Sequence, residues 1–162
     1  KIFVTGIGRD KPRLELARTF GATRTINVEE EDVVEVVRNE TNGEMCDVVV
    51  DVSGNPNAIL KSVDCLHRQS TMVLGGLTGD TTVTPMLMDK LVWNEIKLQG
   101  CFTADNDATE AALRIIEETK FPVEQMVSHT FSLKDTEHCI RAIGGEVPGT
   151  FPTKALINPA IG

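Results

Sequence analysis

The segment Asp47–Val52 carries an unbroken run of valines, and it restricts the fold of this chain more than any other feature. Strands buried on both faces of a parallel sheet have such continuous β-branched runs, whereas half-exposed strands alternate. Other strand-like runs alternate with helical patterns, which predicts βαβ units and an α/β fold with helices on both faces of a parallel sheet. These runs are residues 2–5, 71–74, 96–102 and 154–157. We expect Asp47–Val52 to be a central strand.

Small residues follow the strand-like runs and predict the position of a ligand site. In open parallel sheets, ligands bind beyond the carboxyl ends of the strands, where small residues let a flat ligand approach the backbone. Glycine also follows strands for structural reasons, and that alternative stays open for each turn. The candidate segments are Gly8-Arg9, Val52-Ser53-Gly54, Gly75-Gly76-Leu77 and Gly100-Cys101-Phe102.

The first turn has two glycines but lacks the spacing of a dinucleotide-binding fingerprint. Gly6-Ile7-Gly8 is followed by three residues without glycine, so the third glycine of G-x-G-x-x-G is absent. Guanidinium groups form bidentate hydrogen bonds with phosphate and remain charged, so Arg9 and Arg13 are predicted to clamp a phosphate monoester. The alternative for Arg13 is an exposed helix residue that is paired with Asp10 or Glu15.

The composition limits the classes of function. A chain of 162 residues fits one domain and can bury a core without disulfides. Its formal net charge of -8 argues against a nucleic-acid surface, which needs a basic face. No apolar run approaches the roughly 20 residues of a membrane-spanning helix. Its four cysteines form no C-x-x-C pair, which favours the reducing cytoplasm. Together, these features predict a soluble chain that binds neither nucleic acid nor membrane.

The sequence offers no catalytic or metal-binding set of its own. The three histidines, His67, His129 and His138, lack metal-ligand spacing with any cysteine or carboxylate. No G-x-S-x-G or similar nucleophile turn occurs, and no pair of acid and base can be identified. We therefore predict neither catalytic nor metal-ligating residues within this chain.

Successive segments resemble the medium-chain, zinc-dependent alcohol dehydrogenase family. Residues 1–22, K-I-F-V-T-G-I-G-R-D-K-P-R-L-E-L-A-R-T-F-G-A, are similar to the second βα unit of its cofactor-binding domain. The similarity continues in order through C-D-V-V-V-D-V-S-G, M-V-L-G-G-L, I-K-L-Q-G-C-F and M-V-S-H-T-F-S-L to the terminal A-L-I-N-P. Within the family, the chain most resembles the branch of polyol (sorbitol), threonine and butanediol dehydrogenases.

This resemblance implies a preference between the two nicotinamide cofactors. In the family, an acidic residue that closes the second strand binds both hydroxyls of the adenosine ribose and favours NAD. Gly8 takes its place here and Arg9 follows, an arrangement that resembles members that prefer NADP. Loss of the carboxylate removes repulsion of a 2′-phosphate, and the arginine adds attraction. We therefore expect NADP, with NAD less favoured.

The resemblance also implies further cofactor contacts at the other strand ends. The expected contacts of the adenine and ribose half are Val52, Ser53 and Gly54. The expected contacts of the nicotinamide half are Gly76, Leu77, Cys101 and Phe102.

Parts of the family's domain organisation are missing from this chain. Residues 1–103 are expected to form a partial Rossmann-like dinucleotide-binding domain without its first βα unit, and residues 104–162 a C-terminal segment that completes the junction with the catalytic domain. The missing N-terminal catalytic domain is the expected partner, and zinc is expected only there. The absent strand would lie between the Ile2 and Asp47 strands. We therefore expect a fragment, or a chain that closes this gap with another copy.

A homo-oligomer is the second expected assembly. The apolar stretch Pro85–Trp93 and the strand near Ile96 are the expected subunit contact. The alternative for the apolar stretch is the core of this chain.

Three functions are compatible with these residues. The first is the cofactor-binding portion of an NADP(H)-preferring, zinc-dependent dehydrogenase that oxidises a secondary alcohol or polyol by hydride transfer and is inactive as this fragment alone. The second is a non-catalytic nucleotide-binding module that uses the adenosine-phosphate half-site. The third is part of a zinc-free relative of the quinone reductases.

Overall fold

Strands and helices alternate along the described chain, which confirms the α/β class. The computed structural model describes residues 1–161. The strands are β1 (Phe3–Gly6), β2 (Arg24–Asn27), β3 (Cys46–Asp51), β4 (Leu66–Leu74), β5 (Lys97–Gly100), β6 (Val127–Phe131) and β7 (Lys154–Ile157). The helices are α1 (Lys11–Thr19), α2 (Val33–Glu40), α3 (Pro56–Val63), α4 (Met88–Trp93), α5 (Asn106–Glu117) and α6 (Thr136–Ile143). Within residues 1–161, no helix has both the length and the apolar character needed to cross a membrane.

These strands form three separate parallel sheets within residues 1–161. β1 pairs with β2, β6 pairs with β7, and the third sheet has the order β3-β4-β5. Every pairing is parallel, which requires a crossover connection between the partners. The strands that begin near Ile2 and near Asp47 therefore do not pair directly in the described part of the chain.

The chain divides into two compact units. The first unit combines residues 1–27 with residues 105–161 and contains β1, β2, β6, β7, α1, α5 and α6. The second unit, residues 28–104, contains β3 to β5 and α2 to α4. The expected division into domains after residue 103 stays a prediction.

β3 lies at the edge of its sheet, so the prediction of a central strand is wrong. Its one neighbour in the sheet among residues 1–161 is β4, which occupies the centre. Val49 packs against the core, whereas Val48 and Val50 are 54% and 59% exposed. One face of β3 therefore has no cover in this unit. A run of valines is typical of a doubly covered strand, but it cannot show whether the covering element belongs to the same chain.

The core of the second unit forms where helices pack on β4. Met72, in the middle of this strand, is fully buried. The buried side chains around it are Ile59, Val63, Leu66 and Leu91. Burying an aliphatic side chain of this size stabilises a fold by roughly 1.5–3 kcal/mol. This packing fixes β4 beside β3 and so brings the turns at their carboxyl ends together.

Three helices, α2, α3 and α5, begin at side chains that satisfy their first backbone N–H groups. Asn55 accepts hydrogen bonds from the N–H groups of Asn57 and Ala58 at 2.9 and 3.2 Å, ahead of α3. Asp105 accepts the N–H of Ala108 at 2.8 Å, ahead of α5. Asparagine and aspartate are favoured at this position because their short side chains reach the free donors of the first turn.

Asp47 and His67 form a hydrogen-bonded pair in the second unit. His67 Nε2 lies 3.0 Å from Asp47 Oδ1, and its Nδ1 faces the carbonyl oxygen of Arg68. Both partners are acceptors, so the ring makes both bonds only as the doubly protonated imidazolium. The bond with Asp47, and then the bond with the Arg68 carbonyl, raises the pKa of His67. The same pair lowers the pKa of Asp47.

We expect the free energy of unfolding to fall as the pH rises through the raised pKa of His67. This contribution is complete below the pKa of histidine in an unfolded chain, about 6.5, and is lost above the folded pKa. The contribution of Asp47 to the free energy of unfolding is lost as the pH falls through its lowered pKa. This pKa therefore sets the lower pH limit of the stabilisation by the pair. Urea unfolding measures the difference in the free energy of unfolding between about pH 5.5 and about pH 8.5. It should disappear in His67→Gln and remain in His129→Gln; a difference that survives in His67→Gln contradicts this assignment.

Candidate cofactor site

The turn between β1 and α1 is closed by Asp10. Its carboxylate accepts hydrogen bonds from the Ile7 N–H at 3.2 Å and from Arg13 Nη1 at 2.8 Å. The N–H of Asp10 donates to the Ile7 carbonyl oxygen at 2.8 Å. These bonds hold Gly8–Asp10 as a short 3-10 turn ahead of α1. The position of Arg9, inside that turn, is thereby fixed.

Arg9 and Arg13 lie beside the same small cavity, so the structure brings the two predicted phosphate ligands together. The cavity has a volume of about 100 Å³. The Arg9 guanidinium makes no hydrogen bond or ion pair with any of residues 1–161, and its donors are available to a ligand. The other lining residues are Asp10, Ala142, Ile143, Gly144, Gly145, Phe151 and Pro152.

Arg13 has protein partners on both sides of its guanidinium. Nη1 pairs with Asp10, which is the alternative that the sequence left open, and Nη2 donates to the carbonyl oxygen of Pro152 at 2.8 Å. Sequence reasoning missed the contribution of Phe151 and Pro152 to this site. Pro152 is 139 positions away from Arg13, and no local pattern connects residues at such a separation. The contact of Arg13 with a phosphate stays a prediction.

In the second unit, Asp51 organises the turn after β3. Its buried carboxylate accepts hydrogen bonds from Ser53 Oγ at 2.7 Å and from the Gly54 N–H at 3.1 Å. Its carbonyl oxygen accepts the N–H groups of Gly75 and Gly76 at 2.8 and 3.2 Å. The role of Asp51 was not predicted. An aspartate followed two residues later by serine and glycine is the local signal that could have indicated it.

The turns after β3 and β4 approach each other so closely that two of the predicted contacts must be glycine. A Cβ atom on Gly54 would lie 2.2 Å from the Leu77 carbonyl oxygen, and one on Gly76 would lie 2.2 Å from the Gly54 nitrogen. Gly54 also has a φ of +63°, which other residues rarely adopt. The structural alternative therefore accounts for both glycines, because they let two backbones meet. Their contact with a cofactor stays a prediction.

Three apolar side chains are exposed where neighbouring strands end. Val52, Leu77 and Phe102 are 79%, 78% and 78% exposed. They follow β3, β4 and β5, which are adjacent and parallel, so the carboxyl ends of these strands meet at one edge of the sheet. Ser53 and Cys101 are exposed in the same turns. Such an edge suits a flat ligand with an apolar face, such as an aromatic ring.

Comparison with known proteins identifies the family. A sequence model described as zinc-binding dehydrogenase matches residues 1–118. This chain belongs to the zinc-binding dehydrogenase family. A probable alcohol dehydrogenase of Mycobacterium tuberculosis is 30% identical over 161 residues, which cover 98% of this chain and 44% of that protein. A sorbitol dehydrogenase of Halalkalibacterium halodurans is 26% identical over 159 residues, which cover 98% of this chain and 45% of that protein.

Solved structures of dehydrogenases share the fold of this zinc-binding dehydrogenase chain. An alcohol dehydrogenase from Thermotoga maritima has a TM-score of 0.83 at 19% identity, over 96% of this chain and 42% of that one. The 2R,3R-butanediol dehydrogenase of Bacillus subtilis has a TM-score of 0.79 at 19% identity, over 98% of this chain and 43% of that one. The predicted resemblance and the Rossmann-like fold are confirmed. The chain spans less than half the length of these relatives.

The described residues of this zinc-binding dehydrogenase chain offer binding groups rather than a metal centre. Within residues 1–161, no three histidine, cysteine, aspartate or glutamate side chains lie together as metal ligands, so this part does not fit a zinc ion. Burial raises the pKa of the Cys65 thiol to about 12, and burial also raises the pKa of Cys46. Both thiols therefore stay protonated near neutral pH and are poor nucleophiles.

Proposed function

We propose that this chain is the cofactor-binding portion of a zinc-dependent dehydrogenase that prefers NADP(H) and oxidises a secondary alcohol or polyol. Membership of the zinc-binding dehydrogenase family and the similarity to alcohol and sorbitol dehydrogenases support this class of reaction. The nicotinamide cofactor, when bound, accepts the hydride. In the proposed enzyme, an N-terminal catalytic domain holds the zinc and is the partner of this chain.

The observation that carries the cofactor preference is the Arg9 guanidinium, which has no partner among residues 1–161 and borders a cavity next to Gly8. The carboxylate of Asp10 pairs with Arg13, so Arg9 is the cation at this cavity whose charge no residue among 1–161 neutralises. The remaining positive charge favours a dianionic 2′-phosphate, and Gly8 has no carboxylate to repel it. A bare ribose hydroxyl gains little from a guanidinium group. The residues therefore fit the adenosine phosphate of NADP.

Further cofactor contacts are proposed at the strand ends of the second unit. The exposure of Val52, Leu77 and Phe102 at one edge of the sheet supports this assignment. The proposed contacts of the adenine and ribose half are Val52, Ser53 and Gly54. The proposed contacts of the nicotinamide half are Gly76, Leu77, Cys101 and Phe102.

Titration calorimetry of the 162-residue chain with 2′-phospho-AMP and with AMP tests the cofactor preference. We expect 2′-phospho-AMP to bind about tenfold more tightly, because a charge-assisted hydrogen bond to phosphate has no counterpart in AMP. Equal affinities would contradict the NADP preference. Binding of neither ligand would contradict a nucleotide site in this chain. The same protein should not oxidise an alcohol with NADP alone, and measurable turnover would contradict a separate catalytic domain.

A second copy of this chain is the proposed partner at the apolar stretch Pro85–Trp93. Leu91 packs in the core, but Leu87, Met88, Val92 and Trp93 are exposed. β5 is an edge strand that pairs with β4 only, within residues 1–161. A free strand edge beside exposed apolar side chains is a surface that association would cover.

We expect Trp93→Glu to convert this homodimer into a monomer. A carboxylate in an apolar interface loses its hydration without gaining a partner, which weakens association strongly. Light scattering after gel filtration measures the mass, and the wild-type mass should be that of two chains. Leu133→Glu changes another exposed apolar residue, which lies outside this surface, and should leave the dimer intact. A wild-type monomer at high protein concentration would contradict the proposed contact.

A further inference from the structure

The two arginines at the cavity differ in what their guanidinium groups already bind. Arg13 donates at 2.8 Å to Asp10 Oδ1 through Nη1 and at 2.8 Å to the Pro152 carbonyl oxygen through Nη2. Arg9 makes no such bond with residues 1–161. These bonds leave some N–H donors of Arg13 unused, but they hold its guanidinium between Asp10 and Pro152. Arg9 is therefore ready to bind an anion, whereas the orientation of Arg13 is set by its protein partners.

The Pro152 carbonyl belongs to a loop, residues 144–153, that connects α6 with β7. The loop is tethered at its far end by Thr153, whose N–H donates to Ser128 Oγ at 2.8 Å. Gly145 and Gly149 both have a φ of +76°, so the loop turns sharply at two places. Between Gly149 and Thr153, the hydrogen bond that Arg13 donates to the Pro152 carbonyl ties the loop to α1.

This loop supplies an apolar wall to a cavity that also borders a free guanidinium. Phe151 and Pro152 both line the cavity, and Phe151 is 45% exposed. An aromatic side chain does not stabilise a phosphate alone, because anions are not stabilised by apolar surface. A nucleoside phosphate can use both features of the cavity, because its base and sugar present apolar surface while its phosphate binds a cation. The cavity thus offers the Arg9 guanidinium to the phosphate of such a ligand and the apolar surface of Phe151 and Pro152 to its nucleoside.

We propose that Arg13 is a positioning residue, which holds Pro152 and thereby places Phe151 against the nucleoside of a ligand whose phosphate binds Arg9. This inference rests on the proposed NADP site and assigns a different role to each of the two arginines. Arg9 discriminates between cofactors through the phosphate. Arg13 and Phe151 strengthen the binding of any adenosine ligand and do not discriminate.

Titration of the 162-residue chain with AMP and 2′-phospho-AMP separates these roles. We expect Arg13→Gln to weaken both ligands by the same factor, roughly fivefold, and to leave their ratio unchanged. Phe151→Ala should weaken both ligands by a similar factor. Because Arg13 acts through Phe151, the double variant should be no weaker than the weaker single variant. Phe151→Tyr, which keeps the ring, should bind like the wild type.

Arg38→Gln is a matched control for Arg13→Gln. Arg38 forms an i,i+3 ion pair with Glu35, as Arg13 does with Asp10, and the two arginine side chains are 50% and 48% exposed. Arg38 has no bond to the loop. Hydrogen exchange measured by mass spectrometry should show faster exchange of residues 144–153 in Arg13→Gln and no change there in Arg38→Gln, with or without nucleotide.

Three results would overturn the positioning role. One is a selective loss of 2′-phospho-AMP binding in Arg13→Gln, which would make Arg13 a phosphate ligand. The others are unchanged loop exchange in Arg13→Gln, and additive losses in the double variant. Failure of the proposed NADP preference is a different result, in which the wild type binds both ligands equally. The coupling of Arg13 with Phe151 is then still measured with AMP.

Discussion

We expect the replacement of Arg9 by glutamine to remove the proposed preference of this chain for 2′-phospho-AMP over AMP. The guanidinium has no protein partner among residues 1–161, so the variant leaves no unpaired group behind and should fold as the wild type does. What it loses is a charge-assisted, bidentate donor, and such bonds to charged groups are worth about 1.5–3 kcal/mol. We therefore expect a loss of roughly tenfold to hundredfold in affinity for 2′-phospho-AMP and almost none for AMP.

Lys11→Gln serves as the control for Arg9→Gln. It removes the same charge two positions away, at an exposed residue that does not line the cavity. If the preference came from the general positive potential of the turn, both variants would lower it equally. Gly8→Asp is the complementary change, because a carboxylate there should repel the 2′-phosphate and accept the ribose hydroxyls of AMP. An unchanged preference in Arg9→Gln would contradict the assignment of Arg9.

We expect the replacement of Gly76 by alanine to destabilise the second unit by about 3 kcal/mol, the upper end of the cost of overpacking. The added Cβ would lie 2.2 Å from the Gly54 nitrogen and 2.8 Å from the Val52 carbonyl carbon, and both are backbone atoms. Backbone cannot swing aside as a flexible side chain does. The turns after β3 and β4 would have to separate, and the bonds from Gly75 and Gly76 to the Asp51 carbonyl would lengthen.

Gly75→Ala is the control for this prediction. A Cβ at Gly75 would meet its nearest atom, the Asp51 carbonyl oxygen, at 3.6 Å, which is ordinary contact. We expect a change within about 0.5 kcal/mol for this variant, as for most uncrowded substitutions. Urea unfolding gives both values from the transition midpoint and slope. Equal stabilities of the two variants would show that the turns after β3 and β4 do not meet as described.

The residues of the proposed nucleotide site could be predicted from the sequence, but not the contacts that bring them together. Arg9 follows a strand and precedes a helix, and this local pattern was enough to predict a phosphate ligand near the carboxyl end of β1. The bond of Arg13 to Pro152, and the wall formed by Phe151, link segments that are far apart in sequence. No periodicity, cap or turn motif connects such segments. The partner of a side chain in a distant loop is known only once the chain has folded.

The sequence by itself determined the family, the α/β class and the alternation of strands and helices. Each depends on residue types and spacings within short segments, which the chain carries before it folds. Only the tertiary structure decided that β3 is an edge strand with one apolar face exposed, because the covering of a strand depends on what else is present. It also decided that Gly54 and Gly76 let two backbones meet, and that Arg13 binds a loop while Arg9 has no partner among residues 1–161. These are distances between parts of the chain that are remote in sequence, and packing alone sets them.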